Sequence, residues 1–281
     1  MRGALPRIFS FAGTDMKIIQ LTDTHLMPPG ISANGVDPEA RLRAAMADIL
    51  KRHANADLLV ITGDLCNHGD AEAYALLREI LAPAPFPVRL LLGNHDRRPE
   101  FVAAFPDQPR DASGYIQSVL DTDHGRLLFL DTHEAGVIGG IYGAERLAWL
   151  DAALADAGPA PVTVFVHHPP VADGIRHFQS ISLHDEGALL ARLAAHPGGV
   201  RHIVFGHIHM PLSGTSPEGI AYSSGQSCTH RFITDLELPD PWWTDGNPTY
   251  RILMIDELGF RAFTVEVGQI PTVRAPICEG P

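Results

Sequence analysis

The chain has 281 residues, 45% of them hydrophobic and 19% charged, with a formal net charge of −12. That length and composition suit one large soluble domain whose core needs no disulfides. The charge disfavours a nucleic-acid polymer or an anionic membrane as partner, three scattered Cys without a C-x-x-C pair argue against a disulfide framework or a thiolate zinc site, and no apolar run reaches membrane-spanning length.

Residues 1–15 contain two Arg and only a short, broken apolar stretch, a poor signal peptide. They are expected to be an N-terminal extension, with Met16 as an alternative start, on a cytoplasmic protein. The pattern then predicts a strand over 16–21 and an amphipathic helix over 38–53, with Asp37 as N-cap and Pro38 at the first position. A second strand follows at 57–62, a second helix at 70–82 with an acidic cap, and a third strand at 88–93. This β-α-β-α-β order implies parallel strands with right-handed crossovers. Strands at 115–120 and 126–132 flank a turn at 121–125. A helix is expected at 143–157, a strand at 161–168, a helix at 183–196 and a strand at 200–207. Strand-like pieces at 219–224, 250–256 and 260–267 end the domain, which spans 16–267, and an irregular tail covers 268–281.

Polar residues gather where the predicted parallel strands end. Asp23 and His25 follow the first, Asp64 the second, Asn94, His95 and Asp96 the third, His167 and His168 a fourth, and His207 and His209 a fifth. In open α/β sheets ligands bind just past the carboxyl ends of strands. Residues 207 and 209 point the same way in extended backbone, and neutral imidazole is the commonest metal ligand. Taken singly, Asp64 could be a turn residue and Asn94-His95 a cap; the full set is hard to obtain from turns alone. Mixed carboxylate, imidazole and amide donors suit Zn, Mn, Fe or Co. Seven donors exceed one tetrahedral ion and suit two ions roughly 3.5–4 Å apart with a bridging carboxylate, the arrangement used for displacement at phosphorus.

The ordered blocks D-x-H, G-D, G-N-H-D, H-H-P-P and G-H-x-H resemble the calcineurin-like metallophosphoesterase superfamily across roughly residues 16–263. Residues 62–74 and 165–171 are similar to its branch of class III cyclic-nucleotide phosphodiesterases and bacterial glycerophosphodiesterases. The resemblance implies a four-layer α/β/β/α sandwich of two mixed sheets flanked by helices. It also implies two divalent or trivalent transition-metal ions (Fe, Mn, Zn or Co), one held by Asp23, His25, Asp64 and His209, the other by Asp64, Asn94, His167 and His207. His168 would stand behind the ligands, His95 would lie over the phosphate with Asp96 orienting it, and a metal-bound hydroxide would attack the phosphorus of a small phosphodiester. A phosphomonoesterase, a pyrophosphate hydrolase of the same superfamily and a catalytically dead scaffold are the alternatives.

Asn67, His68 and His230 are candidates for the substrate pocket. No arginine adjoins the motifs so as to clamp a second phosphate; Arg97 and Arg98 are placed beyond Asp96. Asp131 and His133 are expected to be structural, and His53, His124, His177, His184, His196 and His202 to lie on the surface. The segment 230–250, with Trp242 and Trp243, is expected to form a cap or the interface of a homo-oligomer, a dimer or higher.

Overall fold

The computed structural model describes residues 15–33, 35–171, 178–235 and 242–268. Nearly all of the predicted N-terminal extension and tail, part of the 230–250 segment, and His177 lie outside the described residues.

Three strands, each leading into a helix, come first in the chain. Strand β1 (Met16–Leu21) leads into helix α1 (Pro38–Arg52), β2 (Leu58–Thr62) into α2 (Ala71–Leu81), and β3 (Val88–Leu91) into α3 (Arg98–Ala104). The hairpin β4 (Ser118–Thr122) and β5 (Gly125–Phe129) precedes α4 (Ala144–Ala157), β6 (Val162–Phe165), α5 (Glu186–Ala194) and β7 (Val200–Phe205). The remaining strands are β8 (Leu212–Thr215), β9 (Ala221–Ser224), β10 (Arg231–Phe232), β11 (Trp243–Thr244), β12 (Thr249–Asp256) and β13 (Gly259–Glu266).

They form two mixed sheets. One has the order β13-β12-β1-β2-β3 and the other β4-β5-β6-β7-β9-β8, with β10-β11 as a separate ribbon. Strands β1, β2 and β3 are mutually parallel, as are β5, β6, β7 and β9. Strand alternation divides the apolar residues between layers. Ile19, Leu21, Leu59 and Ile61 face α1 and α2, whereas Met16, Ile18, Leu58 and Val60 meet Phe129, Phe165 and Val204 of the other sheet. Leu128, Val162, Val164 and Ile203 pack under Leu147, Leu150, Leu189 and Leu193 of α4 and α5. The result is the expected α/β/β/α sandwich.

The α1 cap forms as expected, Asp37 Oδ1 accepting the Ala40 N–H at 3.0 Å, but Asp70 makes no side-chain cap bond to α2. Helix α3 escaped prediction because seven residues give too little helical periodicity to read. Strand β8 carries Gly214 and alternates half-buried with exposed residues, so no apolar run marks it. The hairpin turn is tighter than expected, with β4 and β5 shifted so that Thr122 pairs with Gly125.

Several histidines expected on the surface are not there. His196 is buried and its Nε2 lies 2.8 Å from Ala160 O. His202 sits half-buried on β7, stacked on Phe260 with ring centroids 4.0 Å apart and its Nε2 2.8 Å from Ser223 Oγ. His53 pairs with the Tyr250 hydroxyl at 3.0 Å, while His184 is exposed and His124 half-buried. Among the described residues no helix is long and apolar enough to cross a membrane.

Candidate metal centre

The carboxyl ends of β1, β2, β3, β6 and β7 converge, and the chain is bent sharply at five of the seven predicted donors. Asp23, His25, Asp64, His207 and His209 have φ between 43° and 70° and are the non-glycine residues with positive φ in the described chain. Such a backbone costs roughly 1–3 kcal/mol per residue and persists only where surrounding bonds impose it. Those bonds are visible: Asp23 N–H donates to Gly63 O (3.1 Å), His25 N–H to Asp64 O (2.9 Å), and Gly206 N–H to His167 O (3.1 Å). Ser227 and Thr229 hydroxyls both donate to Asp23 O, at 2.9 and 2.6 Å. The strain turns each side chain back toward one spot above the sheets.

Two donor groups result. Asp23, His25, Asp64 and His209 have ligand atoms close enough to share an ion, and so do His167, His168 and His207. Asp64 stands between them, its Oδ2 lying 3.6 Å from His25 Nε2 and 3.4 Å from His167 Nε2. His25 Nε2 and His209 Nε2 are 3.0 Å apart, His207 Nδ1 and His167 Nε2 3.2 Å, and His209 Nε2 and Asp23 Oδ1 3.3 Å.

The far nitrogens of three rings are occupied in a way that frees the near ones. His167 Nδ1 donates to Thr62 O at 2.7 Å and His209 Nδ1 to His230 O at 3.1 Å, and His25 Nδ1 pairs with Asn67 Oδ1 at 3.1 Å. Each Nε2 lone pair is thereby presented to the site, the usual support for an imidazole ligand. His168 differs. Its Nδ1 meets the Thr132 hydroxyl at 2.7 Å and its Nε2 meets Ile138 O at 3.2 Å, so both nitrogens are spent. Buried Asn94 Oδ1 and His207 Nε2 have no hydrogen-bond partner. Burying such atoms unpaired costs about 1–3 kcal/mol each. A buried, donor-rich and acceptor-orphaned site of this composition fits metal ions.

The electrostatics agree. Burial lowers the His207 imidazole, helped by its neighbour His167, to about 3. Burial also acts against charge on His167, but the Asp64 carboxylate outweighs it and holds that imidazole up at about 9. Asp64 is held well below the usual carboxylate range by His167 despite its burial. The Asp64 carboxylate and the His167 imidazole favour each other's charged form, and a cation bound between them would take the place of that imidazolium charge.

Gly93, ahead of Asn94, is enforced by close approach. A Cβ there would stand 2.2 Å from Asp64 Oδ1 and 2.6 Å from His167 Nε2. The glycine of the G-N-H-D block makes room for donors from two other strands.

His95 lies beside the donors, its ring centroid 4.7 Å from that of His25, and its Nδ1 donates to Asn67 O at 2.9 Å. The expectation that Asp96 orients it is not met. Asp96 is buried and its carboxylate accepts from Leu65 N (3.1 Å), Cys66 N (3.2 Å), Gly93 N (2.9 Å) and the Tyr74 hydroxyl (2.9 Å). It ties the loops bearing Asp64 and Asn94 together, and a backbone carbonyl, invisible to any motif, orients His95.

Two cavities open on the centre. One of about 230 Å³ holds His25, Asp64, Asn94, His95, His207, His209 and His230, walled by Ile138, Phe178, Ile181 and Phe232. A larger one of about 1030 Å³ continues past Asn67, Asn94 and His95 to His68, Arg97, Arg98 and Arg110. Of the expected pocket residues, His230 lies beside His209, ring centroids 4.3 Å apart, and His68 is exposed in the larger cavity. Asn67 borders both cavities, but its side chain is engaged with His25 and with His68 Nε2 at 3.0 Å. The placement of Arg97 and Arg98 away from the site is corrected, since the turn after Asp96 brings both onto the cleft wall. Asp131 serves structure as expected, accepting from Arg98, Ile116 N and His133 N. The apolar wall was not foreseen: Ile181 ends a short helical turn, Gln179–Ile181, that Phe178 precedes, and Phe232 belongs to the β10-β11 ribbon whose Trp243 ring lies 5.6 Å from that of His230.

A buried cluster of carboxylate and imidazole donors at the carboxyl rim of a double-sheet sandwich defines a metal-dependent phosphoesterase. The chain belongs to the calcineurin-like phosphoesterase family, a hydrolytic family whose model matches residues 16–211. It is 37% identical over 225 residues to a protein of Rhodopseudomonas palustris named a probable cyclic nucleotide phosphodiesterase, covering 79% of this chain and 81% of that one. It is 31% identical over 198 residues to the glycerophosphodiester phosphodiesterase GpdQ of Enterobacter lignolyticus, covering 69% and 71%. A dimetal phosphatase from Danio rerio shares the fold, with a TM-score of 0.62 at 15% identity over 90% of this chain and 99% of that one.

Proposed function

We propose that this chain hydrolyses a small phosphodiester, a cyclic nucleotide or a glycerophosphodiester, at a pair of metal ions. The observation that carries the reading is Asp64, one of whose oxygens faces both donor groups. Asp23, His25, Asp64 and His209 would hold one ion, and Asp64, Asn94, His167 and His207 the other. Bound there, the ions would supply charge for the phosphoryl oxygens and acidify a water, chemistry that Mn, Fe, Zn or Co can provide.

The protein's own part lies around them. The Nδ1 contact to Asn67 O leaves His95 Nε2 free, and in its protonated form that nitrogen can donate to the phosphate or the departing alcohol. Ile138, Phe178, Ile181 and Phe232 line one side of the smaller cavity and give an uncharged substituent an apolar seat. That seat favours a diester, because two cations alone favour the more highly charged monoester. The names of the Rhodopseudomonas and Enterobacter relatives support this substrate class.

The test compares kcat/KM for bis-p-nitrophenyl phosphate and p-nitrophenyl phosphate at equal metal loading, with metal content measured on the purified protein. The diester should be preferred, and His230→Ala should slow it more than the monoester. Asp64→Asn should lose one or both ions and most activity. Preference for the monoester would return the assignment to a phosphomonoesterase, and full metal content with full activity in Asp64→Asn would sink the shared-carboxylate scheme.

A further inference from the structure

The larger cavity is not explained by hydrolysis of a small diester whose only charge is the reacting phosphate. It runs from Asn94 and His95 to a wall carrying Arg97, Arg98 and Arg110, in a chain whose net charge is −12. Arg98 is committed, its guanidinium bound to Asp131 at 3.0 Å and to His133 O at 3.0 Å. Arg97 has no ion pair or side-chain hydrogen bond among the described residues, and Arg110 reaches only Pro106 O, at 3.4 Å. Two guanidinium groups therefore stand on one wall without a carboxylate partner.

Arg97 is also held in place. Gly69 packs against it so closely that a Cβ there would lie 2.5 Å from Arg97 Cγ, and Gly69 itself has a φ of +65°. The stem is thereby clamped between the loop after Asp64 and the turn after Asp96. His133 lines the same cleft, is 4% exposed, and has a buried Nδ1 with no hydrogen-bond partner. Glu100 on that wall is a single opposing charge at the surface, and Asp96 beneath it is saturated by four donors.

Resting on the phosphodiesterase reading, we propose that this cleft receives one substituent of the diester and that this substituent carries its own anionic group, a phosphate or carboxylate, bound by Arg97 and Arg110. Guanidinium binds such oxygens in a bidentate manner, which suits a fixed subsite at a set distance from the reacting phosphorus. The same wall repels a cationic alcohol such as choline. Substrate preference is then set by charge outside the metal centre, by residues that no metal-binding motif includes.

The test uses the metal-loaded full chain and two esters with the same scissile bond: thymidine 5′-(4-nitrophenyl phosphate) and the same ester bearing a 3′-phosphate. Release of nitrophenol should show the 3′-phosphate raising kcat/KM by roughly tenfold to a hundredfold, the range of a charge-assisted contact. The gain should shrink as salt rises, and the ratio should fall close to one in Arg97→Ala/Arg110→Ala. Calorimetry with thymidine 3′,5′-bisphosphate and thymidine 5′-phosphate should give the same ordering of affinities without turnover. Equal kcat/KM for the two esters, or a gain that survives the double substitution, overturns the proposal. If no diester is hydrolysed yet the bisphosphate binds more tightly through these arginines, the phosphodiesterase reading falls and the anion subsite stands.

Discussion

Asp96 separates a structural from a catalytic role with one substitution. Its carboxylate takes four hydrogen bonds, three from backbone N–H groups of Leu65, Cys66 and Gly93 and one from the Tyr74 hydroxyl, and the residue is 3% exposed. Asp96→Ala leaves four buried donors without an acceptor, at about 1–3 kcal/mol each. That total is on the order of the entire 5–15 kcal/mol that stabilises a typical domain, so this variant should fail to accumulate as folded protein. Asp96→Asn is milder. With its oxygen toward Leu65 and Gly93, it keeps both of those bonds, and Tyr74 can reverse to accept from the amide. The Cys66 N–H then loses its partner, at a cost of about 1–3 kcal/mol. Urea unfolding followed by circular dichroism measures the loss, with kcat and metal content determined on the folded fraction. An unchanged unfolding midpoint in Asp96→Asn, together with a kcat lowered a hundredfold, would refute this account and restore Asp96 to the reacting centre.

His95→Ala should keep its metal ions yet lose roughly 10²–10³ in kcat, the usual cost of one donor to a developing charge; a metal-free variant would show that His95 is a ligand. Gly93→Ala forces a Cβ to within 2.2 Å of Asp64 Oδ1, so it should release metal and lower stability by about 1–3 kcal/mol, read by emission spectroscopy and urea titration. His202, lowered to about 4 by burial and then by Arg251, makes stability depend on pH. Its folded value lies below the unfolded 6.5, so the unfolded chain binds more protons between the two and stability falls as pH drops through that window. The contribution is at most about 3 kcal/mol, and urea midpoints of His202→Asn between pH 7 and 4 should decline less than those of the wild type.

The alternation of apolar strands and amphipathic helices was enough to read parallel strands covered by helices, because residues 58–62 are almost wholly apolar and 16–21 and 162–165 largely so, as in a sheet covered on both faces; the four-layer sandwich came from the resemblance of the ordered motifs. The donors were legible for a related reason: in such a sheet the strand ends share one rim, so their polar residues converge whatever the loops do. Short elements were not legible. Helix α3 and strands β8, β10 and β11 are fixed by what they pack against, and two to seven residues carry no period of their own. The same limit applied to the roles around the metal centre. Residue type placed Asp96 next to His95 in the sequence, but the fold turned its carboxylate toward Tyr74 and the backbone of residues 65, 66 and 93, leaving His95 to a carbonyl of residue 67. Arg97 and Arg98 were likewise counted as remote by their order in the chain, whereas the turn after β3 brings them to the cleft wall. Backbone carbonyls, cavity walls and the direction of a turn arise from contacts between distant segments, and those exist only once the two sheets have closed on each other.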